Sequence, residues 1–149
     1  MSIEIRQVGP ADRAVLDHVA DEVFDHAIDP ALADEFLSDR RHHLFVAIDG
    51  GMVVGMITAV EYVHPDKRLQ LWINETGVAA SHRRRGIGRM LLDAMLAHAR
   101  TLGCTDAWLG TDLTNEAANA LYRSAGGTAA PAILYAWEFA QGDDRPGAR

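Results

Sequence analysis

The sequence predicts a mixed α/β layer fold, one sheet with helices on its faces, on three observations. Apolar segments of strand character alternate along the chain with segments whose apolar residues recur at helical spacing. A glycine turn, Asp49-Gly50-Gly51, separates two neighbouring strand segments and reads as a hairpin. A further strand runs into a basic, glycine-containing loop that opens directly into a long helix.

Taken in order, Ile3, Ile5 and Val8 roughly alternate with polar residues and predict a half-buried first strand. After Pro10, the residues Val15, Leu16, Val19, Ala20, Val23 and Phe24 follow helical spacing and predict a first helix. A second, short helix opens at Asp29 as N-cap with Pro30 in its first turn, burying Leu32, Phe36 and Leu37. Strands over 44–48 and 52–62 flank the glycine turn, and a strand over 69–78 follows Pro65-Asp66. Ile87, Leu91, Met95, Ala99 and Leu102 mark a helix ended by Gly103. A short strand over 107–111, a helix over 115–124 stopped by Gly126-Gly127, and a last strand over 133–139 complete the order β-α-α-β-β-β-α-β-α-β. The expectation is one domain over 1–140, with 141–149 as a frayed polar tail.

Composition narrows the function. The chain has 149 residues, 48% hydrophobic and 23% charged, which suits one globular domain with a real core. No apolar run approaches the ~20 residues of a membrane helix, and the N-terminus lacks signal-peptide features. A lone cysteine, Cys104, forms no internal disulfide and fits a reducing cytoplasm; it reads as a small buried hydrophobe. Fourteen basic against 21 acidic side chains give a net charge of −7, which disfavours a nucleic-acid partner and leaves room for a cationic ligand. Of the seven histidines, His42 and His43 point to opposite faces of an extended chain, and His18, Glu22 and His26 form only a helical stripe; all read as surface, with no metal site.

Chemistry concentrates between Asn74 and Gly88. A helix start leaves backbone N–H groups unpaired and carries partial positive charge. Gly86 and Gly88 permit close backbone approach, and Arg83, Arg84 and Arg85 add charge-assisted donors, so the loop suits a phosphate or pyrophosphate. An arginine run alone is as readily a solvated surface; its place at a helix start beside two glycines, in an acidic chain, favours the anion site. The spacing is neither a Rossmann fingerprint nor a P-loop.

Arg83-x-x-Gly86-x-Gly88 after a strand ending in Val78 resembles motif A of the GCN5-related N-acetyltransferases. Asn115-Glu116-Ala117-Ala118-Asn119-Ala120-Leu121-Tyr122, followed by Ala125-Gly126, is similar to that superfamily's second conserved segment. The resemblance implies a mixed, mostly antiparallel sheet flanked by helices, acetyl-CoA as cosubstrate, and a homodimer as one option. It implies that Thr76, Gly77, Val78, Arg83, Arg84, Arg85, Gly86, Ile87, Gly88, Arg89 and Asn115 contact the cofactor, the Val78 N–H polarising the thioester. It further implies Glu75 as base, its pKa raised by an apolar wall that includes Trp72, and Tyr122 as the acid that protonates the departing thiolate. Gly77, unusual in a strand, would mark a bulge or a close approach there. On their own, Glu75 is a strand carboxylate and Tyr122 a core aromatic.

Asp21, Asp25 and Asp29 at four-residue spacing would repel one another on a helix, and a cationic partner is one reason for them; an acidic solvated face is the plainer reading. Asp112, Glu61 and Glu116 are further acidic candidates at the acceptor mouth. A weaker resemblance, to the aminoglycoside 3-N-acetyltransferases, rests on Val23-Phe24-Asp25, Phe36-Leu37, Leu44-Phe45-Val46-Ala47, Glu75 with Val78, His82-Arg83-Arg84 and Asp112. It implies that Glu75 and Asp112 contact or activate the amine of a small cationic acceptor; Asp25 and Glu116 are expected beside Asp112 in the acidic rim that binds it. Acetylation of a protein or peptide amine and a non-catalytic acyl-CoA-binding module are the alternatives.

Overall fold

The computed structural model describes residues 2–140, and the expected tail lies outside the described residues. Five strands form one sheet in the order β1-β2-β3-β4-β5: β1 (Glu4–Gln7), β2 (His42–Asp49), β3 (Met52–His64), β4 (Lys67–Val78) and β5 (Asp106–Trp108). Every pairing is antiparallel except that of β4 with β5. The expected hairpin is β2–β3, and it turns through Gly50 and Gly51 at φ +57° and +83°, which is where glycine spares the strain of a side chain.

Helix α2 (Ile87–Thr101) lies on one face of β2, β3 and β4. Its stripe of Ile87, Leu91, Met95 and Ala99 is buried against the face that carries Ala47, Ile57 and Leu71, the centre of the core. Gly55 of β3 sits beneath it: a Cβ there would press at 3.1 Å on both Ile87 and Leu91. The opposite face is covered by a 3₁₀ segment (Pro10–Asp17), the irregular stretch 18–29, and helix α1 (Pro30–Ser38). Asp29 caps α1 by accepting from the Ala31 and Leu32 N–H groups at 2.8 and 3.2 Å. A cap of that kind contributes ~1 kcal/mol. Helix α3 (Glu116–Ser124) follows β5.

Two expected elements differ. The first helix stops at Asp17 as a 3₁₀ turn, because the backbone beyond it is taken by the sheet: Val53 N–H donates to His18 O, and Ala20 N–H to Val53 O. Val19 and Val23 bury their apolar groups from an extended, looping chain, so helical spacing was satisfied without a helix. The four-residue spacings of Asp21–Asp25–Asp29 and His18–Glu22–His26 therefore do not define helical stripes. The last strand, expected over 133–139, is also missing: among the described residues it pairs with no strand, and it stands exposed.

The histidines are not all surface residues. His43 is buried, its Nε2 2.8 Å from Glu61 Oε2 and its Nδ1 3.0 Å from His98 Nε2. Glu61 thereby sits under α2, engaged with histidine, and not at an acceptor mouth.

Candidate active site

Strand β4 and its exit build the site. β4 hydrogen-bonds β5 only from Gln70 to Trp72, so from Ile73 to Val78 its outer edge has no strand beside it. The two parallel strands part there and leave backbone open to a ligand. On its other side β4 stays paired with β3 up to Val78, opposite Gly55. A register shift between Thr58 and Ala59 pairs them with Glu75 and Ile73, so the extra, bulged residue is Asn74. Gly77 is not the bulge. It is the close approach: a Cβ there would stand 2.1 Å from Val23 O, so the 18–29 stretch passes over the strand only because position 77 lacks a side chain.

That passage brings Asp25 to Glu75. Burial first, then a hydrogen bond shared with the Asp25 carboxyl and its negative charge, push the Glu75 pKa up, with His26 acting weakly against them. Trp72, expected as part of an apolar wall beside Glu75, stacks on Trp108, ring centroids 5.1 Å apart. The stretch also walls a cleft of about 540 Å³, lined by Asp17, Asp21, Glu22, Asp25 and His26, by Arg13, which pairs with Asp17 at 3.2 Å, and by Phe24 and Ile28 at its apolar side. Asp25 joins this cleft to Glu75. Asp112 and Glu116 do not line it; they flank the start of α3, where Asp112 O accepts from Asn115 N–H at 3.1 Å.

After β4 the chain makes a short 3₁₀ turn (Ala80–His82) and enters α2 through Gly86, the N-cap, at φ +79°. No heavy atom lies within 4 Å of where a Gly86 Cβ would stand, so the helix start is open. His82 anchors the loop, its Nε2 2.8 Å from Asp49 Oδ2 and its Nδ1 2.8 Å from Ser81 Oγ. Arg83, Arg84 and Arg85 are exposed around the open end. Arg83 also donates to Val78 O at 3.2 Å and to Glu22 at 3.4 Å, which ties the loop to the cleft wall. Arg84 takes a left-handed φ of +62°, the price of turning three arginines about a helix start. Arg89 points elsewhere: it binds Asp93 at 2.9 Å and Ser124 O at 3.0 Å, locking α2 to α3.

The second segment is helix α3. Asn115 Oδ1 caps it by accepting from Ala118 N–H at 3.1 Å, so its side chain has a structural duty that the motif did not disclose. Leu121 packs beside Gly88, where a Cβ would stand 3.3 Å from its Cδ2, and Tyr122 lies half-buried against the core. Residues 115–122 are thus carried to the start of α2 by small residues and by Arg89.

Sequence reasoning did not place Asp17, Glu22 or His26 in a cleft, because the cleft is walled by an irregular stretch, 18–29, where the spacing had indicated a helix. Nor did it join His82 to Asp49, a pairing of residues 33 positions apart that no local pattern signals.

Residues 13–126 match the model of the acetyltransferase (GNAT) family. N-acetyltransferase 8 of Rattus norvegicus is 36% identical over 96 residues, 64% of this chain and 43% of that protein. The chain thus spans less than half the length of this curated relative. Among solved structures, an aminoglycoside acetyltransferase from an uncultured soil metagenomic sample superposes with a TM-score of 0.79 at 22% identity, covering 94% of this chain and all of that one. An aminoglycoside N-acetyltransferase in complex with CoA superposes with a TM-score of 0.74 at 19% identity, covering 92% of this chain and 95% of that one. At these identities the likeness is one of fold.

Proposed function

The chain belongs to the acetyltransferase (GNAT) family, and from that premise we propose that it transfers an acetyl group from acetyl-CoA to a primary amine of a small cationic acceptor, directly within one ternary complex. The cleft that opens beside Glu75 carries this reading, because four carboxylates line it against one arginine, Arg13, and Asp25 links it to the base. Each charge-assisted hydrogen bond to an ammonium group is worth ~1.5–3 kcal/mol, so a polyamine gains several at once. An aminoglycoside, acetylated on its 3-N amine, is the sharpest form of the reading.

The cosubstrate supplies an activated acyl thioester. For its diphosphate, this chain offers the open helix start at Gly86, the N–H groups of Ile87 and Gly88, and the exposed Arg83–Arg85. The fit is physical: Gly86 leaves the approach clear, and the arginines balance charge that an acidic chain would otherwise repel. Thr76, Gly77 and Val78 present the unpaired outer edge of β4, and the Val78 N–H polarises the carbonyl. Glu75 takes a proton from the acceptor ammonium, directly or through water. Its raised pKa keeps it a better base at neutral pH than an ordinary carboxylate. Tyr122 returns a proton to the departing sulfur.

A panel of amines assayed with acetyl-CoA by thiol release tests the proposal. Aminoglycosides and polyamines should turn over, and turnover should weaken as salt rises, because charges at an open cleft are screened. Turnover on peptide amines alone would replace the acceptor class. Tight CoA binding with no turnover on any amine would replace the enzyme by a binding module.

A further inference from the structure

The two faces of β4 differ in how they are covered. Under α2, Ala59, Leu71 and Ile73 are at most 3% exposed. On the other face Tyr62, Trp72 and Trp108 are 38%, 41% and 43% exposed. Strand alternation and the pairings Val60↔Trp72, Tyr62↔Gln70 and Trp72↔Trp108 put all three rings on that one face. They meet there: the indole planes of Trp72 and Trp108 lie 11° apart, and Tyr62 stands edge-on to Trp108 at 6.3 Å. Contiguous aromatic surface left to water marks a place where something binds.

This is also the face of Glu75. The pairings Thr58↔Glu75 and Met56↔Gly77 continue the same alternation along β3, and the bulged Asn74 absorbs the odd step between Trp72 and Glu75. Glu75 therefore sits between two features of one surface. On one side the wall of the carboxylate-lined cleft crosses at Gly77, and on the other stand the rings. Three strand residues at roughly 3.3 Å each keep Trp72 within ~10 Å of Glu75, the span of a two-ring amine. Charge suits a cationic occupant. Asp106 faces Gln70 across the strands, accepting from its Nε2 at 2.9 Å, so carboxylates bound the rings at both ends. Arg68 comes two residues further out, at the end of β4 away from Glu75. The face of an indole carries negative potential and attracts an ammonium group.

We propose that Trp72 and Trp108, rimmed by Tyr62 and Asp106, form a second acceptor subsite. It holds an ammonium-bearing ring of the acceptor, remote from the amine that Glu75 deprotonates, against the indoles. The inference rests on the reading of Glu75 as base for a small cationic acceptor, and adds what that reading lacks: a preference for acceptors long enough to span both places. The cleft and the base read charge alone, whereas the rings read charge and an apolar ring face together. A neutral apolar group would gain nothing from the flanking carboxylates, and an anion would be repelled by them.

Calorimetric titration of the full chain with gentamicin, a multi-ring aminoglycoside, in the presence of CoA tests this. Trp72→Leu and Trp108→Leu keep apolar bulk and lose the π-face, and each should weaken the gentamicin Kd by roughly 3–30-fold. Trp108→Phe, which keeps a π-face, should lose less. The single-ring core of gentamicin, 2-deoxystreptamine, is too short to reach the rings from Glu75 and should bind the variants as it binds the unaltered protein. An unchanged CoA affinity in the same variants reports an intact fold. Of the three tryptophans, Trp137 is 74% exposed and lies outside the subsite. In a Trp137→Phe background, acrylamide should quench Trp72 and Trp108 emission, and gentamicin should protect it. Gentamicin that is acetylated, with an unchanged Kd in both leucine variants, overturns the subsite and leaves the acceptor class standing. Rings already shielded from acrylamide in the free chain overturn it as well, since another surface then covers them. No gentamicin binding by the unaltered protein, with thiol release on other amines, overturns the aminoglycoside reading and the subsite with it.

Discussion

Two glutamates on neighbouring strands, Glu61 of β3 and Glu75 of β4, sit on opposite faces of one sheet and meet opposite fates. Under α2, Glu61 finds a donor: buried His43 binds it at 2.8 Å, and His98 binds His43 in turn. Across the sheet, Glu75 finds another carboxyl, Asp25, at the edge of an open cleft. The first arrangement satisfies a charge and fastens a helix to a sheet. The second holds two like charges together, a cost that folding alone does not explain. Unsatisfied electrostatics next to a cavity is where chemistry is to be sought; satisfied electrostatics of similar composition is architecture.

The sharpest way to break this comparison is to remove each charge in turn. Glu75→Gln should lower kcat by roughly 10²–10⁴-fold, the scale of a lost general base, with CoA affinity kept. Glu61→Gln should leave kcat near that of the unaltered protein and lower the melting temperature. Steady-state kinetics and CoA titration of the two variants decide it, and equal losses of kcat would erase the distinction. Next in size, His43→Leu strips Glu61 of its donor. Leaving a buried polar group unpaired costs ~1–3 kcal/mol, to be read from denaturant midpoints with kcat little changed.

The pair beside the cleft makes a third test. Asp25→Asn removes the neighbouring charge that helps raise the Glu75 pKa, so the acid limb of the kcat/KM profile should move to lower pH. A group whose folded pKa is raised loses stability as pH climbs through that value. Relieving the repulsion should therefore raise the melting temperature at neutral pH even as acceptor KM rises. A limb that stays in place would detach Asp25 from the base.

How far the sequence alone reaches follows the same division. The Gly50-Gly51 hairpin, the α2 stripe from Ile87 to Ala99 and the glycine-arginine loop are local patterns, and each lies where its spacing indicated. The helix assumed over 15–24 failed because Val53, far along the chain, takes the backbone hydrogen bonds of His18 and Ala20. The strand assumed over 133–139 has the right periodicity, but among the described residues no strand pairs with it. Glu75 and Asp25 were each legible as candidates but not as neighbours, since only the close passage over Gly77 joins them. Arg89 and Asn115 show the converse: within the motif segments, yet turned to packing and capping.

The smallest expected effect lies on the satisfied side and concerns His98. Burial, then the neighbouring His43, hold its pKa below the ordinary imidazole value, with Glu61 opposing them. The unfolded chain therefore takes up a proton at His98 near pH 6.5 while the folded chain does not yet do so. Stability contributed by the neutral ring is complete above that value and is lost as pH falls through the lower, folded one. The geometry gives the reason: His98 Nε2 and His43 Nδ1 face each other at 3.0 Å, a contact with room for one proton between two rings. Charging both imidazoles would set two donors against each other, and Glu61 can offset only one. Melting curves from pH 8 down to pH 5 should accordingly fall more steeply for the unaltered protein than for His98→Gln, whose amide keeps a donor and carries no titrating charge. If the difference between the two curves stays constant with pH, His98 titrates as it would in the unfolded chain, and the network under α2 is fastened by packing alone.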